Sequence, residues 1–283
     1  MIKTIAVVGA GTMGSGIALA AALKNFPVIL CDINDAVLAS AQKAIDKNLA
    51  FLVDKQKISA EEKVSIGQSI HFTTDINDCK ADLELEAIVE KLAVKVGLFK
   101  QLAAINADDC VLASNTSSLS VTEIQKDIPR PERVVGMHFF NPAHVMKLVE
   151  VVKGDATSEE NAQLLVDLCR QIAKVPVLCK DAPGFIVNRV ARHFYLEAMH
   201  MALKDGTPIG DIDAAMEAVG FKMGPFKLMD LIGMDINLAV STSLYEAFKE
   251  EARFKPSPLQ IEKVARGELG RKTGKGFYDY NTK

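Results

Sequence analysis

The chain has 283 residues (30.7 kDa), is 49% hydrophobic and 24% charged, and sets 33 Lys and Arg against 36 Asp and Glu. This composition excludes a disordered, collagen-like or coiled-coil chain, and a net charge of −3 leaves no electrostatic footprint for nucleic acid or an anionic membrane. At roughly 150 residues per domain, the length predicts about two domains.

The first predicted strand is Ile5–Val8, followed at once by Gly9-Ala-Gly11-Thr12-Met13-Gly14, which opens an Ala-rich helix over Gly14–Asn25. In this pattern Gly9 makes the tight turn, Gly11 lets the backbone approach a pyrophosphate, and Gly14 allows close helix–strand packing. The helix N-terminus then presents oriented N–H groups to the anion. A lone glycine pattern is a weak signal, but a second strand, Val28–Cys31, ends here at Asp32, 21 residues beyond Gly11. An acid at that point accepts both ribose hydroxyls and repels a 2′-phosphate, which predicts NAD in preference to NADP.

Val37–Leu52 and Leu92–Ala104 carry helical spacing, and Val111–Ser114, Val134–Met137 and Val175–Cys179 are further short, aliphatic strands. The alternation predicts an α/β fold: a Rossmann-type, doubly wound, mostly parallel sheet. Glu84, in Asp82-Leu-Glu-Leu-Glu86, stands where an apolar strand residue is expected. Two segments carry polar residues where strands end, beside the ligand crevice of an open α/β sheet. The first is Ala113-Ser-Asn-Thr-Ser-Ser118, whose plainer reading is a Ser/Thr cap for a helix over Val121–Ile124.

The second is Gly136-Met-His138-Phe-Phe-Asn141-Pro142, followed by Lys147-Leu-Val-Glu150-Val-Val152. A carboxylate inside an aliphatic run is costly unless a partner satisfies it, and a chain folding back at Asn141-Pro142 would offer His138. Such a pair fixes the imidazole tautomer, the arrangement of a His base with a carboxylate orienter. From spacing alone it stands level with an exposed edge-strand Glu and a hydrogen-bonded core His.

After Lys180 the pattern turns helical. Asp181-Ala-Pro-Gly184 marks a boundary, and Phe185–Lys204, Ile209–Val219 and Asp235–Glu251 are predicted helices, with turn-rich stretches at 254–258 and 267–276. Asp205–Asp213 reads as a solvated turn and helix start, His144 as an exposed turn residue, and Met199 and Met201 as helix packing. The expected domains are 1–182, dinucleotide-binding, and 183–283, a smaller all-α domain. The five scattered cysteines predict reduced, mostly buried thiols, not a disulfide framework or zinc site. The apolar run Gly16–Leu23 stops at Lys24, and no secretory leader is expected, so the sequence predicts a soluble, cytoplasmic protein.

Taken together, Gly9–Gly14, Glu86-Ala-Ile-Val-Glu90, Ser114–Ser118, His138-Phe-Phe-Asn-Pro142, Asp181-Ala-Pro-Gly-Phe-Ile-Val-Asn188-Arg189, Met223-Gly-Pro-Phe226 and Gly267–Phe277 resemble the L-3-hydroxyacyl-CoA dehydrogenases. The likeness covers essentially the whole chain, and its length and tail resemble the bacterial 3-hydroxybutyryl-CoA branch. It implies that His138 exchanges the proton of the 3-hydroxyl, that Glu150 orients it, and that Ser117 hydrogen-bonds the C3 oxygen. It also implies that Asn188 holds the acyl thioester, with Asn141 beside the substrate. Glu90, Lys95, Asn115 and Lys272 match dinucleotide contacts. Asn48 and Lys55 fall where relatives contact the CoA nucleotide. A homodimer through the helical domain is implied as well.

These readings lead to an NAD-dependent (S)-3-hydroxyacyl-CoA dehydrogenase acting on short acyl chains, needing no metal because the His–Glu pair handles the proton. One alternative is the same chemistry on a dicarboxylic or longer acyl-CoA, which extra cations facing the acyl pocket would favour; neither Lys222 nor Lys227 is placed there by sequence. The other is a non-catalytic dinucleotide-binding member, a role that needs none of Ser117, His138, Glu150 and Asn188.

Overall fold

The computed structural model describes residues 1–281 and divides the chain into two compact units, Met1–Ala182 and Pro183–Lys283. The first is built on one eight-stranded sheet: β1 (Ile5–Val8), β2 (Val28–Cys31), β3 (Ile70–Thr73), β4 (Leu83–Glu86), β5 (Val111–Ser114), β6 (Val134–Phe139), β7 (Leu148–Lys153) and β8 (Val175–Lys180). The strand order is β3-β2-β1-β4-β5-β6-β7-β8. All neighbours pair in parallel except β6 with β7, so the expected mostly parallel, doubly wound sheet is present. Its helices are α1 (Thr12–Ala22), α2 (Asp35–Asp54), α3 (Ala60–Gln68), α4 (Leu92–Ile105), α5 (Val121–Gln125) and α6 (Glu159–Gln171). The core joins β1, β2, β4 and β5 to α1, α2 and α6, with Val7, Leu30, Leu85, Val111, Leu49 and Leu165 all 1% exposed or less.

Parallel pairing does most of the positioning. Cys31, Val8, Glu86, Ser114 and Gly136 lie level across five strands, so each segment that follows emerges at the same sheet edge. At that edge stand the Gly9–Gly14 loop, Asp32, the 87–90 segment, Ser114–Ser118 and His138. The antiparallel return of β7 brings Glu150 directly opposite His138.

β4 is the strand that composition disguises. Leu83-Glu84-Leu85-Glu86 is completely buried. Glu86 is matched by Lys95 Nζ at 2.5 Å and by Ser114 Oγ at 2.6 Å. Glu84 receives only the Asn106 Nδ2 donor at 3.2 Å, and its other oxygen has no partner. Burial therefore pushes the Glu84 carboxyl up to about 8.

The second unit contains α7 (Val187–Lys204), α8 (Ile209–Ala218), α9 (Pro225–Ile232), α10 (Met234–Ala247) and α11 (Pro258–Ala265). It packs around Tyr195, Met199, Ile212, Phe226, Met229 and Met234. α7 starts later than its hydrophobic spacing suggests because Gly184 and Phe185 adopt φ of +73° and +48°, which helical backbone does not allow. Two expectations need correction. Asp213 is no solvated helix start: it is fully buried and accepts the Phe226 and Lys227 amides (2.8 and 3.0 Å) and the Tyr278 hydroxyl (2.7 Å). Met199 packs in the core as expected, but Met201 is exposed. Among the described residues, no helix is long and apolar enough to cross a membrane.

Candidate active site

The glycine loop is shaped by contacts a side chain would break. Gly9 sits at φ +102° against the Ala87 carbonyl, and a Cβ on Gly14 would collide with the Gly9 carbonyl. α1 begins at Thr12 with Gly11 as an N-cap that makes no side-chain cap. The first-turn N–H groups at Thr12, Met13 and Gly14 thus present a ready anion site. Asp32 braces this loop from β2: its carboxylate accepts the Ala10 N–H at 2.9 Å and the Asn34 N–H at 3.0 Å. Each oxygen keeps a second lone pair for a ribose hydroxyl. The cradle fits a dinucleotide pyrophosphate and an unphosphorylated ribose.

Beside it, Glu90 organises the polar turn after β5. One oxygen accepts from Thr116 Oγ1 (2.6 Å), Ser117 N (2.9 Å) and Ser118 Oγ (3.1 Å), while the other meets Lys95 Nζ at 3.0 Å. Burial alone would raise Glu90, but the Lys95 charge and these hydrogen bonds outweigh it and hold Glu90 below the usual carboxylate range. Lys95 is only 1% exposed and bridges Glu86 to Glu90, so it acts from beneath the site. Ser120, outside the Ser114–Ser118 cluster, caps α5 and also donates to Asp181 at 2.6 Å. The capping demand is thereby met elsewhere, leaving the cluster to the site.

Asn115 Oδ1 accepts the Phe139 N–H at 2.9 Å, tying the serine turn to the strand that carries His138. His138 is 6% exposed and its Nδ1 lies 2.8 Å from Glu150 Oε2, with Glu150 1% exposed. With Nδ1 facing the carboxylate, a proton exchanged by this ring would pass through Nε2. The Phe140 ring tilts against the imidazole at 4.5 Å. Of the two readings the sequence left level, the His–Glu pair against an exposed edge-strand Glu with a hydrogen-bonded core His, the buried pair is the one present.

A cavity of about 460 Å³ runs from Gly11 and Thr12 between α1 and α2 to Asn48 and the Asn141–His144 loop. Asn48 lines it, its amide also donating to the Ala44 carbonyl at 2.8 Å. Lys55 is exposed at the α2 C-terminus, 5.6 Å over the Phe51 ring. His144 also lines this cavity and is half-buried, not an exposed turn residue; burial and the nearby Lys174 charge lower its pKa. In the helical unit, Asn188 opens α7, Lys272 pairs with Asp235 at 2.6 Å, and Lys227 pairs with Glu217 at 2.9 Å. Glu86, Ser114 and Phe140 lie within the motifs quoted from the sequence, but their positioning contributions come to light only in the structure; an acid in an otherwise apolar strand is the local clue to Glu86.

The family model for "3-hydroxyacyl-CoA dehydrogenase, NAD binding domain" matches residues 4–182, and that for "3-hydroxyacyl-CoA dehydrogenase, C-terminal domain" matches 184–280. A 3-hydroxyadipyl-CoA dehydrogenase of Escherichia coli (strain K12) is 46% identical over 99% of this chain, which spans 59% of that relative's length. A 3-hydroxybutyryl-CoA dehydrogenase of Clostridioides difficile is 41% identical, with 98% of this chain and 99% of the relative covered. The crystal structure of an (S)-3-hydroxybutyryl-CoA dehydrogenase from Ralstonia eutropha superposes with a TM-score of 0.95 at 38% identity, covering 100% of both chains.

Proposed function

The chain belongs to the 3-hydroxyacyl-CoA dehydrogenase family, and from that premise we propose that it interconverts a short (S)-3-hydroxyacyl-CoA, 3-hydroxybutyryl-CoA in the first instance, and its 3-oxo form with NAD as cofactor. The observation that carries this reading is the buried His138–Glu150 pair at the sheet edge that also bears the glycine loop and Asp32. NAD, when bound, supplies the hydride acceptor. Gly9, Gly11, Thr12, Met13 and Gly14 hold its pyrophosphate and Asp32 its ribose, with Glu90, Lys95, Asn115 and Lys272 assigned to the rest of the dinucleotide.

In the oxidative direction His138 Nε2 takes the proton of the 3-hydroxyl, and in the reductive direction it returns it. Glu150 fixes the tautomer that leaves Nε2 able to accept and stabilises the imidazolium that results. Ser117 Oγ hydrogen-bonds the C3 oxygen and so fixes which face of C3 is presented. We assign Asn188 to the thioester carbonyl, Asn141 to the substrate's approach to His138, and Asn48 and Lys55 to the CoA moiety, Lys55 supplying the charge a phosphate favours.

A homodimer through the helical unit belongs to the same proposal, supported by exposed Val190 (67%), Val219 (74%) and Ile236 (51%). Five free cysteines fit a cytoplasmic setting. The test is His138→Gln, which keeps the side chain's volume and polarity but cannot exchange the proton. We expect normal folding and NADH binding with kcat reduced by about 10³-fold. Near-normal turnover in this variant would overturn the mechanism.

A further inference from the structure

Three charged side chains support the polar turn after β5, and their charges do not cancel. Glu86 is fully buried at the end of β4. One of its oxygens accepts Lys95 Nζ at 2.5 Å and the Ile88 N–H at 2.7 Å, and the other accepts Ser114 Oγ at 2.6 Å. Lys95, on α4, also meets Glu90 Oε2 at 3.0 Å. The second Glu90 oxygen takes Thr116 Oγ1, Ser117 N, Ser118 Oγ and Ser118 N at 2.6, 2.9, 3.1 and 3.2 Å. Every one of these contacts comes from a donor, which is how an ionised carboxylate is satisfied.

One ammonium thus serves two carboxylates. Among the described residues no second cation forms an ion pair with Glu86 or Glu90, so the cluster carries a net charge of −1. A structural ion pair needs only one carboxylate, and a surplus charge held partly out of water is costly unless something answers it. The side chains of Glu86 and Lys95 are sealed, at 0% and 1% exposure, whereas that of Glu90 is 35% exposed. The surplus is therefore presented outward through Glu90, at the turn that carries Ser117.

That turn says which cation answers it. Hydride transfer needs C3 of the acyl chain and the nicotinamide ring in contact, and the proposed reaction gives the C3 oxygen to Ser117, whose amide Glu90 holds. The ring therefore lies beside the Glu90 carboxylate, and of its two redox forms only the oxidised one carries a positive charge. We propose that the Glu86–Lys95–Glu90 cluster sets the redox preference of the bound cofactor, its surplus negative charge binding the cationic ring of NAD⁺ more tightly than a neutral cluster would while leaving NADH nearly unaffected. Glu86 acts here from a distance, through Lys95, and touches neither cofactor nor substrate. The inference rests on the proposed reaction, which brings the ring to Ser117.

The experiment measures Kd for NAD⁺ and for NADH by titration calorimetry on the full-length protein, with no acyl-CoA present. Glu86→Gln keeps the side chain's size and removes one charge. It should raise the ratio Kd(NAD⁺)/Kd(NADH) by about 5-fold, almost entirely through weaker NAD⁺ binding. Glu90→Gln removes the charge nearer the ring and should raise the same ratio by about 10-fold. Should Glu86→Gln not fold, Glu90→Gln carries the test, because its side chain is partly exposed. A merely structural cluster would weaken both forms of the cofactor alike, and an unchanged ratio in the folded variants overturns the inference. Wild-type protein that reduces acetoacetyl-CoA while the variants keep the wild-type ratio sinks this inference alone, whereas wild-type protein that binds NADH and never reduces acetoacetyl-CoA sinks the proposed reaction.

Discussion

Glu84→Gln tests whether a carboxyl group buried in the middle of the sheet sets how stability depends on pH. Glu84 is fully buried in β4, one oxygen accepting from Asn106 and the other unpartnered, and its carboxyl is raised from 4.5 to about 8. The unfolded chain ionises this group near 4.5, whereas the folded chain holds its proton until about 8. Between those values the unfolded state binds fewer protons, so stability falls as pH rises, and above about 8 the loss levels off. At about 1.4 kcal/mol per tenfold, the full loss is on the order of 5 kcal/mol. Gln keeps the acceptor for Asn106 and removes the titration, while placing an amide N–H in the unpartnered position at a cost of about 1 kcal/mol. The variant should therefore be slightly less stable than the parent near pH 5 and more stable by about 3 kcal/mol near pH 8.5. In thermal melts the curves of Tm against pH should cross, with the variant about 6–10 °C higher on the alkaline side. Parallel curves would refute the reasoning and mean that Glu84 is ionised or solvated in the folded protein.

The remaining predictions concern the site. Asp32→Ala should lower the preference for NADH over NADPH by about 30-fold in kcat/KM, because the 2′-phosphate no longer meets a carboxylate; an unchanged ratio would remove Asp32 as the selector. Glu150→Gln should leave NADH affinity within about twofold while lowering kcat by about 10²-fold, since the imidazolium loses its buried counter-charge. Unaltered kcat there would show that the 2.8 Å contact is structural only. His138→Gln, described above, completes the set.

How much of this was legible in the sequence depends on whether the signal is local. Strands β1, β2 and β5, and the glycine loop with Asp32, carry their signal within a few residues: an aliphatic run, a turn, a helix start. β4 and β7 were harder, because Glu84, Glu86 and Glu150 interrupt apolar runs and become tolerable only through partners brought by other elements. The amphipathic α6 and the short α9 and α11 went unpredicted, their first turns lying among charged, Gly or Pro residues that resemble loops. Asp213 reads as solvated from its acidic neighbourhood, yet it is satisfied by the start of α9 and by Tyr278, 65 residues away. Arg192 and Gln260 both hydrogen-bond Asn237 from separate helices, and nothing local in any of the three announces the contact. The His138–Glu150 pair lies between these extremes: the residues were visible, but only the antiparallel register of β6 and β7 sets them opposite each other.

The central claim, that this chain moves hydride between NAD and a 3-oxoacyl-CoA, is tested most directly by following NADH absorbance as purified protein meets acetoacetyl-CoA, first with NADH and then with NADPH. The account predicts rapid oxidation of NADH and much slower oxidation of NADPH. Bound NADH that is never oxidised, with acetoacetyl-CoA and with longer 3-oxoacyl thioesters alike, would contradict it.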